Sequence, residues 1–376
     1  MKSFLPNDIK DENRKIIFDI LLQHPELAKV ELAEKTAMSF VTVSKIVGFF
    51  EQIGLLAATG ESRDGSSGLG RKRTLYRFDE NSYTTIGIQS IGESVTALLV
   101  NLKGRVLEVY TIDRPVPFYS EAFTSVVEEI VSYMKEKAKA AGSRIIGIGI
   151  GVDGAINTRN QTIRIRTEGE REEDFHYEAL IGVLGSAAGL PVLIENDVNA
   201  SILAEFRKLE LEDEASADLI HISAGEGIGA GIIINKELHR GGSARAGELE
   251  YMCFDPEFRK SPSSVGWLES KLGLKRLLAL YDLSNADSTE ACVDYVAKHL
   301  ALVVTNMVSL LDINRVVMSG ATIDLFPERM LDRIAHYVEQ YIEWSPTITV
   351  SQAQHTAAMG AAILILQQEM MRVLSA

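Results

Sequence analysis

At Tyr83 the hydrophobic pattern of this 376-residue chain changes period. Before it, apolar side chains recur at the three- and four-residue spacing of short helices. After it, apolar runs of strand length alternate with helical stretches and end in glycine. One core cannot satisfy both patterns, so the chain must build at least two packed units, as its length allows. The expected division is 1–80 and 81–376.

In the first unit, Asp11 is an expected N-cap for a helix that buries Ile17, Ile20 and Leu21, and Pro25 ends it. A short second helix is expected from Val30 to Thr36. A tight turn at Met38-Ser39 leads to a third with Val43, Ile46, Val47 and Phe50 on one stripe, stopped at Gly54. The segment VELAEKTAMSFVTVSKIVGFFEQIGLL therefore reads as a helix-turn-helix. The segment AATGESRDGSSGLGRKRTLYRF follows, two strand-like pieces flanking a glycine-serine loop that carries Arg71, Lys72 and Arg73, as in a DNA-tracking wing. The residues expected to reach DNA are Ser39, Phe40, Thr42, Val43 and Lys45 at the start of the third helix, with Arg71, Lys72 and Arg73 on the wing. The bland alternative is a protein-contact bundle with a solvated basic run.

Charge bears on this choice, because a net charge of -14 is unfavourable for binding a polyanion. Residues 1–80, however, hold 12 basic and 12 acidic side chains, while 81–376 hold 26 and 40. The head is neutral and the acidic body discourages non-specific sticking. The two cysteines, Cys253 and Cys292, argue against a disulfide scaffold and fit a reducing cytoplasm. Acidic residues interrupt the apolar runs near the N-terminus, so no secretory leader is expected there. The apolar stretch from Leu300 to Leu311 is too short and polar to span a bilayer and reads as a core helix.

In the second unit, YTTIGIQSIGESVTALLVNLKGRVLEVY reads as a hairpin-like opening turning at Gly104. A long helix is expected from Glu121 to Ala141. RIIGIGIGVDGAI reads as a buried strand running into a glycine turn, PVLIENDVNASILAEF as a strand and helix, and ADLIHISAGEGIGAGIIINKELHRGG as strand, glycine loop, strand. INRVVMSGATI and AAMGAAILIL look like further strand–glycine–helix units. Glycine at strand ends lets a backbone approach a ligand closely, as in nucleotide-binding α/β folds.

These segments, above all ENDVNASILAE and GIGAGIIINKELHRGGSARAGELE, resemble the ROK family of repressors and sugar kinases, and GRKRTLYRF resembles the wing-to-body junction of its winged-helix repressors. The resemblance implies an α/β chain: an N-terminal winged helix-turn-helix plus a two-lobed, ribonuclease-H-like (actin-like ATPase) domain of sugar-kinase type. It also implies oligomerisation through 81–376, as a homodimer or dimer of dimers. On this reading the partners are double-stranded operator DNA and a small sugar or polyol held between the lobes, and the function is transcriptional regulation, most simply repression, of carbohydrate-related genes. A sugar kinase and a ligand-independent DNA-binding scaffold are the rivals.

Departures from the family pattern weigh against catalysis. The Asp-x-Gly-Gly-Thr phosphate loop aligns with Gln89, Ser90, Ile91, Gly92 and Glu93. The second loop, Gly-Thr-Gly-Ile-Gly in relatives, is Gly225, Glu226, Gly227, Ile228, Gly229. Glu93 and Glu226 replace hydroxyls with carboxylates that repel a triphosphate, so no catalytic residues and no cofactor are assigned. The zinc ligands of the family align with Tyr251, Lys260, Pro262 and Trp267, none of which binds zinc at neutral pH, so no metal is expected and packing around Trp267 must replace it. The sugar site is better kept. Asn196 and Asp197 match the pair that grips sugar hydroxyls, Asp197 being the general base in kinases, and Glu248 and Glu269 match two further sugar contacts. Asn196 and Asp197 could instead simply cap the next helix. Asp153 stands where relatives carry proline, at the border of the cleft.

If Arg71, Lys72 and Arg73 track a DNA backbone, replacing all three by alanine will weaken operator binding and reduce the slope of log affinity against log salt by up to about 3. Fluorescence anisotropy across a salt series measures this, and an unchanged slope excludes the wing assignment.

Overall fold

The computed structural model describes residues 6–62, 73–166, 172–211, 217–261 and 265–376. The head comprises α1 (Pro6–Gln23), β1 (Glu26–Ala28), α2 (Lys29–Thr36), α3 (Phe40–Gln52), β2 (Leu56–Ser62) and β3 (Arg73–Phe78). Its strands form an antiparallel sheet in the order β1-β3-β2, which with the three helices is a winged helix. The first helix begins at Pro6, earlier than the Asp11 cap expected, because proline is tolerated in a first helical turn. Ser39 caps α3 by accepting the Thr42 amide at 3.1 Å. Ile17, Leu21, Leu32, Val43, Val47 and Phe50 fill the core.

The body continues through β4 (Tyr83–Ile91), β5 (Ser94–Asn101), β6 (Val106–Ile112), α4 (Glu121–Ala140), β7 (Arg144–Val152), β8 (Ala155–Asn157), β9 (Thr162–Arg166), β10 (Glu172–His176), α5 (Glu178–Ala188) and β11 (Val192–Asn196). The second half holds α6 (Asp197–Leu211), β12 (Leu219–Ala224), β13 (Ile228–Ile234), β14 (Glu237–Leu238), α7 (Trp267–Leu272), α8 (Leu274–Leu280), α9 (Ala286–Leu311), β15 (Arg315–Ser319), α10 (Ala321–Asp324), α11 (Pro327–Tyr341), β16 (Thr347–Val350) and α12 (Thr356–Ser375). The opening is a pair of hairpins, turning at Gly92 as well as Gly104, both with positive φ.

Two five-stranded sheets result, ordered β11-β7-β4-β5-β6 and β14-β13-β12-β15-β16. In each, one strand pairs antiparallel with its hairpin partner and parallel with the strand on its other side. The repeated topology is the two-lobed ribonuclease-H-like arrangement, with α4 and α5 covering the outer face of the first sheet and α9 and α11 that of the second. Between the lobes, α12 lies across β4, β5 and β7, α6 lies across β12 and β13, and the two helices pack on each other.

AAMGAAILIL is therefore the interior of α12 and contains no strand. The glycines explain the error. A Cβ at Gly149 in β7 would sit 2.0 Å from the Ala361 carbonyl oxygen, and one at Gly360 in α12 would sit 1.6 Å from that of Ala200 in α6. The repeated glycines of RIIGIGIGV and the glycine of AAMGAA thus serve helix contact and not a turn. Among the described residues, α9 and α12 are long and apolar enough to cross a membrane, but 56% and 61% of those windows are buried in the fold, as in core helices.

Gly149→Ala should cost at least about 3 kcal/mol, because a rigid backbone oxygen blocks the new methyl. Gly48→Ala on α3 meets nothing within 4 Å and should stabilise the chain by about 1 kcal/mol. Urea denaturation of both variants checks the contrast.

Candidate functional site

On the head, helical geometry separates the expected DNA-reading residues. Phe40 is 54% exposed and Val41 63% exposed. Ser39 and Lys45 are also exposed, and Thr42 and Ser44 are half-buried. Val43 is fully buried. It lies on the stripe of Ile46, Val47 and Phe50 and cannot reach a base edge, which corrects its assignment. Val41, two residues earlier, lies on the opposite, exposed side of the helix. Arg71 and Lys72 lie outside the described residues, and Arg73 is the first residue of β3.

The cleft is built where β7 and β11 end. Their parallel register pairs Val152 with Asn196, so Asp153 and Asp197 leave adjacent strands at the same level. Asn196 Nδ2 donates to the Gly154 carbonyl at 3.0 Å and to Asp197 Oδ1 at 3.1 Å, while its Oδ1 accepts the Val198 and Asn199 amides at 3.0 Å each. Both N–H groups and both lone pairs are engaged. Asn196 is therefore a positioning residue and helix cap, with nothing left over for a ligand. Asp197 Oδ1 also accepts the Val198 amide at 2.9 Å. Burial, then Asp153, then Glu248 push the Asp197 carboxyl up to about 7, so these three carboxylates act on one another.

Glycine also positions Glu248. Gly247 has φ +86 and its Cβ would lie 1.8 Å from the Ala230 carbonyl oxygen, so only glycine lets this segment lie against β13. Gly266 similarly admits the Glu250 carbonyl, seating α7 on the short 3₁₀ turn Leu249–Tyr251. Glu269 is buried on α7, and Glu250, at the glycine of the family's Glu-x-Gly-His, is buried in that turn. Glu195 was missed by the sequence reading. It is 3% exposed, forms an ion pair with Arg240 and accepts the Asn196 amide at 3.0 Å and Asn199 Nδ2 at 3.3 Å. The pair ties the first sheet to the loop beyond β14. Its one sequence signal is a glutamate directly before Asn-Asp at a strand end.

The segments that align with the family's phosphate loops bond to the protein itself. Gln89 Oε1 accepts the Ala358 amide of α12 at 3.3 Å, and Ser90 Oγ donates to the Val116 carbonyl at 2.6 Å. Glu226 Oε1 accepts the Lys275 amide at 3.2 Å, with Lys275 Nζ 3.8 Å from Oε2. At the former zinc positions, Lys260 Nζ lies 5.9 Å from the Tyr251 ring centroid. Trp267 is buried between Phe254 and His299, with centroids at 5.5 and 5.8 Å. Pro262 lies outside the described residues.

The body is a duplicated two-lobed fold of sugar-kinase type that carries a winged-helix head. The ROK family model matches residues 85–261 and 263–368, and the chain belongs to the ROK family. It is 24% identical to the xylose repressor of Bacillus subtilis (strain 168) over 340 residues, 85% of this chain and 84% of that protein. It is 28% identical to the glucokinase of Streptomyces coelicolor over 173 residues, 46% of this chain and 50% of that one. The chain spans less than two thirds of the length of several curated relatives it matches, 66% being the largest share among the first three. The crystal structure of a ROK family transcriptional regulator, described as a homologue of the E. coli MLC protein, superposes with a TM-score of 0.75 at 20% identity, covering 97% of this chain and 98% of that one. Relatives named as repressors and as kinases thus share this fold.

Folding raises the Asp197 carboxyl to about 7 from the ordinary 3.8. Between those values the native state holds this proton more tightly than the unfolded chain does, so its contribution to stability falls as pH rises through about 7. Asp197→Asn should therefore raise the unfolding midpoint clearly at pH 8 and much less at pH 5. Equal gains at both pH values would rule out carboxylate repulsion as the source.

Proposed function

We propose that the chain is a DNA-binding transcriptional regulator, a repressor of carbohydrate-related genes, controlled by a small sugar or polyol between its lobes. The observation that carries this reading is the combination of an exposed α3 face on a winged helix with a body whose phosphate loops bond to their own protein. Residues 1–80 act as the DNA-binding head and 81–376 as the effector-binding and oligomerising body, in a cytoplasmic homodimer or dimer of dimers. Ser39, Phe40, Thr42 and Lys45, with Val41 in place of Val43, face operator DNA, and Arg71, Lys72 and Arg73 follow its backbone.

In the cleft, Asp197 and Glu248 accept hydrogen bonds from ligand hydroxyls, with Asn196 holding Asp197 in place and Glu269 supporting from α7. The repressors matched by sequence are named for xylose, so xylose heads the ligand screen. A ligand that favours one lobe arrangement shifts the placement of the heads in an oligomer, which is all that control of DNA affinity requires. No metal or cofactor enters this mechanism. Asp197 could serve as a base, but with Glu93 and Glu226 on the phosphate loops a nucleotide has no favourable seat, so the chain acts without catalysis.

A ligand at a hundredfold excess over its Kd stabilises the native state by roughly 2.7 kcal/mol. A melting-temperature screen of neutral sugars and polyols should therefore yield a hit whose shift disappears in Asp197→Ala and Glu248→Ala while operator affinity survives. ATP should give no shift and no sugar phosphorylation. Phosphoryl transfer from ATP would establish the kinase reading instead, and a hit that both variants still bind would move the site elsewhere.

A further inference from the structure

The small sheet of β8, β9 and β10 has two unlike faces. Strand alternation sends Ile156, Ile163, Ile165 and Phe175 into the core of the first lobe. It sends Asn157, Thr162, Arg164 and Asp174 the other way, with Ala155 opposite Arg164, Asn157 opposite Thr162, and Arg164 opposite Asp174. That polar face, together with Ser243, Ala244 and Arg245, lines a cavity of about 170 Å³.

The cavity is connected by the chain to the carboxylate site at both ends. Its floor begins at Ala155, two residues after Asp153, and Asn196 Nδ2 holds the intervening Gly154 carbonyl at 3.0 Å. Its far wall ends at Arg245, whose carbonyl accepts the Glu248 amide at 3.4 Å. One wall thus leads to Asp153 and the other to Glu248.

The cavity's chemistry is opposite to that of the cleft. It carries two guanidinium groups and one carboxylate. Arg164 Nε is 3.5 Å from Asp174 Oδ1. The Arg245 side chain is exposed and makes no hydrogen bond or ion pair among the described residues. Amide and hydroxyl groups from Asn157, Thr162 and Ser243 complete a donor-rich lining suited to an oxyanion. A small anion alone would be repelled by Asp153, Asp197 and Glu248, and a neutral sugar would offer the Arg245 guanidinium no charged partner. A molecule with hydroxyls at one end and a single anionic group at the other satisfies both.

We propose that the arginine cavity is a subsite for an anionic group, so that the effector is an acidic sugar, a polyol bearing one phosphate ester or carboxylate. Arg245 is the specificity-determining residue, and Arg164, oriented by Asp174, assists. The inference rests on the cleft being the effector site.

Titration calorimetry on the full chain at low salt tests it. The probes are xylose, glucose and mannose, each beside its phosphate esters and its uronic or aldonic acid, with inorganic phosphate alone as a control. At least one acidic derivative should bind about tenfold or more tightly than its neutral parent, as expected for a charge-assisted pair. Arg245→Gln should bring the two within about twofold and Arg245→Lys should restore part of the gap. Which acid shows the preference separates phosphate ester from carboxylate. Neutral parents that bind as well as every acid, or a preference that persists in Arg245→Gln, overturn the subsite while leaving the effector cleft intact. If no probe of either charge binds, cleft and subsite both fall.

Discussion

The contact on which the rest of the molecule depends is the bare-backbone approach of α12 to its neighbours. Gly87, Gly149 and Gly151 form a smooth track across β4 and β7, and a Cβ on any of them would fall within about 3 Å of the Ala357, Ala358 or Ala361 carbonyl. On its other side, Gly360 lets the helix meet α6 at Ala200. The second lobe uses the same device, where a Cβ at Gly231 in β13 would lie 2.6 Å from Ile202 of α6. Closely packed interiors tolerate few such intrusions, so the two interlobe helices seat directly on both sheets.

The same helix links the site to the head. Its first turn meets the former phosphate loop through Gln89, and Thr356 Oγ1 bonds Ser201 of α6 at 2.8 Å. Its last turns bury Leu366, Met370 and Leu374 in the head's own hydrophobic cluster. Arg14 of α1 is held there in two ways. It donates to the carbonyls of Leu374 and Ala376, and its guanidinium lies 3.5 Å from the Phe49 ring centroid. Head and body therefore share apolar surface, which joins α12 to α1 and α3. This gives the proposed regulation a physical carrier, since coupling needs packed elements that both sites bias.

Electrostatics shape the cleft in layers. Glu195 and Arg240 neutralise each other beneath it and bridge the lobes. Above them Asp153, Asp197 and Glu248 repel one another, which is why the Asp197 carboxyl is pushed up. Such a cluster welcomes hydroxyl donors, and burial makes each accepted bond count for more than in water. The acidic surplus of residues 81–376 thus includes these three carboxylates.

Much of this was legible in the residue order. The stripe of Val43, Ile46, Val47 and Phe50 and the turn at Met38-Ser39 are local facts, set by helical periodicity and by side-chain chemistry, and the replacements at Gln89, Glu93, Glu226 and Tyr251 stand out against the family pattern. They were enough to expect a winged helix on an α/β body, and the family resemblance implied that its nucleotide loops are altered. Contacts between distant segments were decided only by the tertiary structure. The saturation of Asn196 needs Gly154, 42 residues away, and Arg14 finds its acceptor 360 residues on. The glycines of β7 look like a loop motif in sequence because glycine is used both for turns and for close approach. Which use applies depends on what packs against the backbone, and that is a property of the folded chain alone.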